Sequence, residues 1–390
     1  MLPLRRNVRY SAFDGRYHVR ILVTGAAGLL GGEICALLAA AGYEVTGLVH
    51  RNPTILGNDG SHVPVRPLSG DLSLPRFGWS KDRFAKIAAS HELLVHCAAT
   101  VRFDLAEADY RAVNVGGVTH ALALAEAGDM NFLHVSTAYV CGTRGGLIRE
   151  TDTLPETGFA NGYEASKAEG ERLVRQSQLR WVIARPSIVV GEYGSGQIRQ
   201  FDTTYTAFKL IAGGRVRHMP ARLDATLDFV PIDHVAGGIF RLLQAMDKAA
   251  GGTFHLVSSQ PLPVATFTGT IGTYPQFQEP ELVSPEFFDP AKLPAIERRL
   301  FRQIAGLYAS YFQRNPHFDD TAFREVTNLE CPATGQIAFE SFLTQVFVHG
   351  FFHGDPHPGN IIIRQDGVIC LIDFGMTGKL MKRDKYAIAG

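Results

Sequence analysis

The sequence predicts an α/β fold, a doubly wound parallel sheet with helices on both faces, followed by a smaller C-terminal substrate region and a short tail of different character. Three observations carry that expectation. Short β-branched runs alternate with longer helical ones from His18 to about Val190, a glycine-rich turn joins the first strand to a helix, and strand-then-helix patterning resumes near Leu227. In order, VRILVTG reads as the first strand, Glu33–Ala41 as an Ala/Leu helix and YEVTGLV as the second strand. LLVHCAA, FLHVSTAYV and WVIARPSIVV follow as further strands, LDFVPIDHVAGGIFRLL as a strand-then-helix unit, and TFHLV as another strand. Pro and Gly become frequent after about Gly191, as suits loops and short helices covering a substrate. The stretch from Pro261 to Gly335 is rich in Pro, Phe and Arg, with a helical centre near Leu293–Tyr311.

Composition narrows the classes. The 390 residues are 46% apolar and 19% charged, an ordinary globular mix with length for two or three domains. Lys+Arg and Asp+Glu are both 38, so no net field favours nucleic acid. Five cysteines (35, 97, 141, 331, 370) form no CxxC pair, which argues against a zinc site or disulfide framework and for a reduced, cytoplasmic setting. No stretch reaches 18 apolar residues without Gly or charge, so no membrane span is expected. Residues 1–17 carry four arginines and no apolar run of signal-peptide length, and read as a disordered extension. The expected organisation is 18–260 for the dinucleotide-binding domain with its substrate loops, 261–335 for the covering region and 336–390 for the tail.

The string TGAAGLLG, Thr24 to Gly31 with Leu29 and Leu30 opening the helix, follows the first strand. Gly25 permits a tight turn, Gly28 lets backbone approach a pyrophosphate, and Gly31 allows close helix–strand packing, while the helix N-terminus offers N–H groups to phosphates. Glycines serving packing alone are the plainer alternative. An NAD site usually places an acid at the end of the second strand; here that strand ends Val49-His50-Arg51. Arg51 can pair bidentately with a 2′-phosphate, which favours NADP and leaves NAD as the alternative; a surface arginine is the bland reading. In GDL, Asp71 with Leu72 stands where its carboxylate can accept from the adenine amine, or simply form a turn.

Tyr163 and Lys167 form YxxxK in a helical segment, one turn apart on one face. An ammonium beside a phenol favours the phenolate and brings proton exchange toward neutral pH. Thr137, at the end of FLHVSTAYV, can bind the same substrate oxygen, whereas strand alternation turns Ser136 to the opposite face.

Together these residues, in this order, resemble the extended short-chain dehydrogenase/reductase family over about Val19 to Val257, with its Rossmann-type sheet. The resemblance implies that Tyr163 is the acid/base, that Lys167 binds the nicotinamide ribose and tunes Tyr163, and that Thr137 positions the substrate carbonyl. It matches Asn114 to the family's helix asparagine, Ala98 and Ala99 in HCAA to the loop beside the adenosine ribose, and Pro186 and Ser187 to the loop that holds the nicotinamide. The strings GDLSLPRFGWS, AATVRFD, STAYV, RPSIVVGEYGSG and DFVPIDHVA resemble the thioester-reductase and fatty-acyl-reductase branch. That branch reduces acyl thioesters on CoA or a carrier protein with NADPH, and the family often forms homodimers. A sugar-nucleotide epimerase or dehydratase with tightly held NAD is the alternative, and a non-catalytic nucleotide-binding protein a third reading.

From about Gln336 the text changes. HGDPHPGN and IDFG set Asp355, Asn360 and Asp373 at the spacing of a kinase-like catalytic loop and metal site, where Asn360 and Asp373 would hold Mg-ATP. The segment resembles the ubiquinone-biosynthesis (UbiB-like) atypical kinases over about 55 residues. The apolar runs Ile361–Ile363 and Val368–Ile372 flank a polar turn and read as a hairpin. It lacks the nucleotide-covering loop, the strand lysine with its helix glutamate and the family's lysine-glycine-glutamine signature. Phosphoryl transfer depends on all these parts being positioned together. An inactive fragment, from a fusion, a truncated reading frame or an assembly artefact, is therefore expected.

Overall fold

The computed structural model describes residues 19–193, 195–200, 210–258, 260–273 and 277–331, together with the backbone of four short strands between 351 and 379. The extension read at 1–17 and the kinase-like Asp355, Asn360 and Asp373 lie outside the described residues.

Seven strands form the central sheet: β1 (Arg20–Thr24), β2 (Glu44–Val49), β3 (Arg66–Ser69), β4 (Leu93–His96), β5 (Asn131–Val135), β6 (Trp181–Pro186) and β7 (Thr253–Leu256). Their order is β7-β6-β5-β4-β1-β2-β3, and every pairing is parallel. The order reverses direction at β1, so the connections leaving β1 and β4 diverge and open a crevice at their C-terminal ends. Strands buried on both faces read as near-continuous apolar runs. In β1, Ile21 and Val23 join one core with Val45, Val95, Leu133 and Val182, against helices α1 (Leu29–Ala40) and, further along the chain, Ile232–Gln244. Leu22 points the other way, into a core with Leu48, Leu94, Phe132 and Ile183 beneath α2 (Lys81–Ala88), α3 (Gly116–Gly128) and α4 (Gly162–Gln176).

Three sequence expectations shift. The first helix starts at Leu29 rather than Glu33, because its packing on the glycine turn overrides the low helix propensity of Gly31 and Gly32. The fourth expected strand stops at Val135, where the Thr137 hydroxyl accepts from Tyr139 N (3.3 Å) and starts a 3-10 turn over Ala138–Cys141. The fifth ends at Pro186, and Ile188–Val190 leaves the sheet to pair in parallel with Phe229–Pro231. The helical centre of the covering region is a broken run from Ala295 to Gln313. In the tail, Ile361–Ile363 pairs antiparallel with Ile369–Leu371, as the hairpin reading expects.

The last helix among the described residues, α5 (Thr321–Thr327), closes the sheet edge. Its Phe323 is fully buried in the first core. The buried carboxylate of Glu150 accepts from Ala322 N (2.7 Å), Phe323 N (3.1 Å) and His255 N in β7 (2.8 Å). Burial pushes its pKa up to about 7 against the lowering effect of those donors, so they offset only part of the cost of keeping a charge inside. Deleting residues 336–390 is expected to leave this fold intact. Deleting 317–390 removes Phe323 and two of the three donors to Glu150, and should lower unfolding free energy by about 3–5 kcal/mol. Urea melts compare the two; coincident curves would contradict this packing account.

Candidate active site

A cavity of about 920 Å³ opens at the C-terminal ends of β1, β2, β4, β5 and β6. Gly25, Gly28, Leu29, Leu30, Gly31, Arg51, Asp71, Leu72, Ala98, Ala99, Thr137, Tyr163, Lys167, Pro186 and Ser187 all line it. The topology thus brings together residues spread over more than 160 positions. Thr24 and Asn114 do not line it.

The cradle at one end is steric. Gly25 has φ +71°, and a Cβ there would lie 2.8 Å from the Ala98 backbone; a Cβ on Gly31 would lie 2.1 Å from the Gly25 carbonyl oxygen. No side chain caps α1 and no acid stands in its first turn, so the first-turn amides and the positive end of the helix remain for an anion. These residues fit a dinucleotide pyrophosphate. Thr24 lies beneath: its hydroxyl contacts His96 Nδ1 (2.9 Å) and accepts from Ala98 N (3.2 Å), fastening the loop after β4 to β1.

At the end of β2, Arg51 is exposed and forms no ion pair among the described residues. Asp71 Oδ1 accepts from the Ser73 amide (2.9 Å) and hydroxyl (2.7 Å), while Oδ2 lies 3.6 Å from His50 Nε2. The Ser73 hydroxyl bond chiefly holds the Asp71 carboxyl below its usual range, so it stays ionised at neutral pH.

Helix α4 places the next pair. Asn161 Oδ1 accepts from Glu164 N (2.9 Å) and the Glu164 carboxylate accepts from Ala160 N (3.0 Å), a reciprocal cap that starts the helix just before Tyr163. Lys167 follows one turn later. It is buried, and its Nζ donates to the Val135 carbonyl (2.7 Å). Burial lowers its pKa to about 8, still leaving an ammonium at neutral pH. The Tyr163 ring lies 5.6 Å from that of Phe103. Thr137 and Ser136 both line the cavity, because β5 has already ended and strand alternation no longer governs them.

Asn114 departs from the catalytic expectation. It is buried away from the cavity, its Oδ1 accepts from Thr100 N (2.8 Å), and its Nδ2 donates to Thr100 O (3.1 Å) and Ser166 Oγ (2.9 Å). With both ends of the amide engaged, it joins the loop after β4 to α4. Ser187 donates to the buried Asp228 (2.5 Å), whose pKa burial pushes up to about 7.

The far end of the cavity is apolar, lined by Val101, Phe103, Tyr139, Leu227, Tyr308, Tyr311 and Phe312. Phe103 is 5.0 Å from Tyr308 and nearly parallel to Tyr311, and Tyr139 meets Tyr311 edge-on at 4.7 Å. Sequence reasoning gives no sign of Tyr308 and Tyr311, which come from the broken helical run remote in the chain. Behind them Arg314 lies over both Tyr139 (4.7 Å) and Tyr311 (4.5 Å) and pairs with Glu164 (2.6 Å).

The sheet and cradle define a Rossmann-type domain that binds a nicotinamide dinucleotide. Residues 60–239, just under half of the chain, match the family described as Male sterility protein. Residues 317–390 match the ABC1 atypical kinase-like domain, a match that takes in α5, whose Phe323 is packed in the first core. A ketoreductase from Stigmatella aurantiaca acting on 4-hydroxy-2-methyl-3-oxo-4-farnesyl-3,4-dihydroquinoline-1-oxide is 28% identical over 258 residues, 64% of this chain and 71% of its own. A linear gramicidin synthase of Brevibacillus parabrevis is 28% identical over 264 residues, 61% of this chain, but the chain spans only 5% of that protein. Among solved structures, the terminal R domain from the myxalamid PKS-NRPS biosynthetic pathway aligns with TM-score 0.73 and 22% identity over 85% of this chain and 91% of that one. UDP-glucuronic acid 4-epimerase from Bacillus cereus, in complex with NAD, aligns with TM-score 0.60 and 17% identity over 85% of this chain and 98% of its own.

Gly31→Ala tests the cradle. The added methyl group must displace backbone rather than a flexible side chain, so stability should fall by about 1–3 kcal/mol and dinucleotide binding should be lost. A fluorescence titration with NADPH that gives the parent affinity would refute the close packing as the constraint.

Proposed function

We propose that this domain uses NADPH to reduce the carbonyl of an apolar acyl thioester, or a related carbonyl, carried on CoA or a carrier protein. The observation that carries this reading is the division of charge in the cavity. Among the described lining residues, Arg51, Asp71 and Lys167 are charged, and all belong to the dinucleotide end; the aromatic end has none. A nucleotide sugar brings a diphosphate of its own, which needs cations or amides where this cavity offers Phe103, Tyr139, Tyr308 and Phe312. An acyl chain needs only apolar surface. The likeness to a terminal R domain of a PKS-NRPS pathway supports an acyl group delivered on a carrier.

In this reading Tyr163 gives its phenolic proton to the carbonyl oxygen, and the nearby Lys167 ammonium lowers the proton affinity of the phenol. The Thr137 oxygen already accepts from Tyr139 N, which leaves its own proton for the substrate oxygen. The nicotinamide, when bound, supplies the hydride. Arg51 takes the 2′-phosphate, the free edge of Asp71 accepts from the adenine amine, and Ala98 and Ala99 lie against the ribose. Asn114 is a positioning residue that holds Thr100 and Ser166. We place the protein in a reducing, cytoplasmic setting, in keeping with the free Cys35, Cys97 and Cys141, and as a homodimer. No helix among the described residues is long and apolar enough to cross a membrane.

Tyr163→Phe should abolish NADPH oxidation against a panel of acyl-CoAs while leaving NADPH binding near the parent value. Surviving turnover would sink the proton-transfer role, and turnover with UDP-sugars but not acyl-CoAs would favour the epimerase reading. Arg51→Ala should remove most of the preference for NADPH over NADH, a loss of about tenfold to a hundredfold in relative affinity for one charge-assisted bidentate contact. Equal affinities in the unmodified protein would take Arg51 out of the site.

A further inference from the structure

Asp228 has no role in the chemistry described so far, yet it sits at a junction. It lies directly before the strand Phe229–Pro231, whose pairing with Ile188–Val190 sets Phe229 opposite Ile188 and so Asp228 beside Ser187. One oxygen, Oδ1, accepts both from Ser187 Oγ (2.5 Å) and from Ser258 N (2.9 Å), two residues past the end of β7. The Asp228 backbone carbonyl accepts from Ile188 N (3.1 Å). Asp228 is thus buried where the chain leaving β6, the chain leaving β7 and the start of the Phe229–Pro231 strand meet.

The consequence falls on Ser187, which lines the cavity beside Pro186. Its N–H is taken by the Leu256 carbonyl (3.2 Å) and its O–H by Asp228. A hydroxyl has one proton and two lone pairs, so a Ser187 whose proton is committed presents its oxygen only as an acceptor. An acceptor at this point suits a carboxamide N–H and disfavours a second acceptor. We infer that Asp228 is a positioning residue for the nicotinamide end of the cofactor: it holds the Ser187 hydroxyl in the one orientation that accepts from the nicotinamide carboxamide. This rests on the reading of Pro186–Ser187 as the nicotinamide loop. Because both hydrogen bonds fall on a single oxygen, the role needs an acceptor at Oδ1 and not a charge.

The test compares two ligands on the full chain by calorimetric titration: NADPH, and 2′,5′-ADP, which contains the adenosine half and no carboxamide. Asp228→Ala should weaken NADPH about tenfold, the worth of one hydrogen bond set free to misorient, and leave 2′,5′-ADP unchanged. Asp228→Asn keeps an acceptor oxygen in place and should restore NADPH affinity to near the parent value. Ser187→Ala should cost a similar factor, and the double substitution no more than either single one. Unchanged NADPH affinity in Asp228→Ala, equal losses for both ligands, no rescue by Asp228→Asn, or additive losses in the double variant each overturn the assignment. If the unmodified chain binds neither ligand, the dinucleotide reading itself fails, a result distinct from any of these.

Discussion

The arrangement depends on how closely α1 approaches the turn that precedes it. The carbonyl oxygen of Gly25 occupies the space where a side chain on Gly31 would begin, and the same turn presses against the backbone at Ala98. That contact fixes where the helix N-terminus points, and with it where an anionic cofactor can lie. Thr24 and Asn114 sit one layer further back and hold the neighbouring loop in place, the first through His96 and Ala98, the second through Thr100 and Ser166. Neither needs to touch a ligand for the cradle to depend on it.

Helix α4 is pinned at both ends by charge. Near its start Glu164 pairs with Arg314, and two turns later Glu171 pairs bidentately with Arg185 of β6 at 2.7 and 2.9 Å. Both pairs are almost wholly buried, where one partner without the other would be costly. Tyr163 and Lys167 lie beside and between these anchors. The Arg314 contact also carries information from the covering region, because the guanidinium that holds Glu164 packs on Tyr139 and Tyr311 of the aromatic wall. Arg314 therefore packs the aromatic wall and the helix that carries Tyr163 and Lys167 against one another.

Most of the cofactor end is legible in the sequence because it is local. A strand, a glycine turn and a helix follow one another within a dozen residues, and the spacing of Tyr163 and Lys167 needs only helical periodicity to place both on one face. The seven-strand sheet follows from the alternation of apolar runs with helical segments. What reading along the chain misplaces is where strands end. The strand through Ser136 stops early because the Thr137 side chain competes for the backbone, and the run through Ile188 changes partners because Pro186 has no N–H to continue the ladder.

By itself the sequence determined the class of fold and the form of the glycine cradle, and it nominated Tyr163 and Lys167 as a pair on one helix face, since each is encoded in residues near one another or in a period. Only the tertiary structure decided that Asn114 is buried and bonded to the loop after β4, that the far end of the cavity is an aromatic wall with no charged residue among those that line it, and that Asp228 bonds to Ser187. Each of these depends on residues separated by between 14 and more than 170 positions coming together: Asn114 with Thr100 and Ser166, Tyr139 with Tyr311, and Asp228 with Ser187. No local periodicity records such contacts, because they arise from the order of the strands and from which loops that order brings to the same end of the sheet.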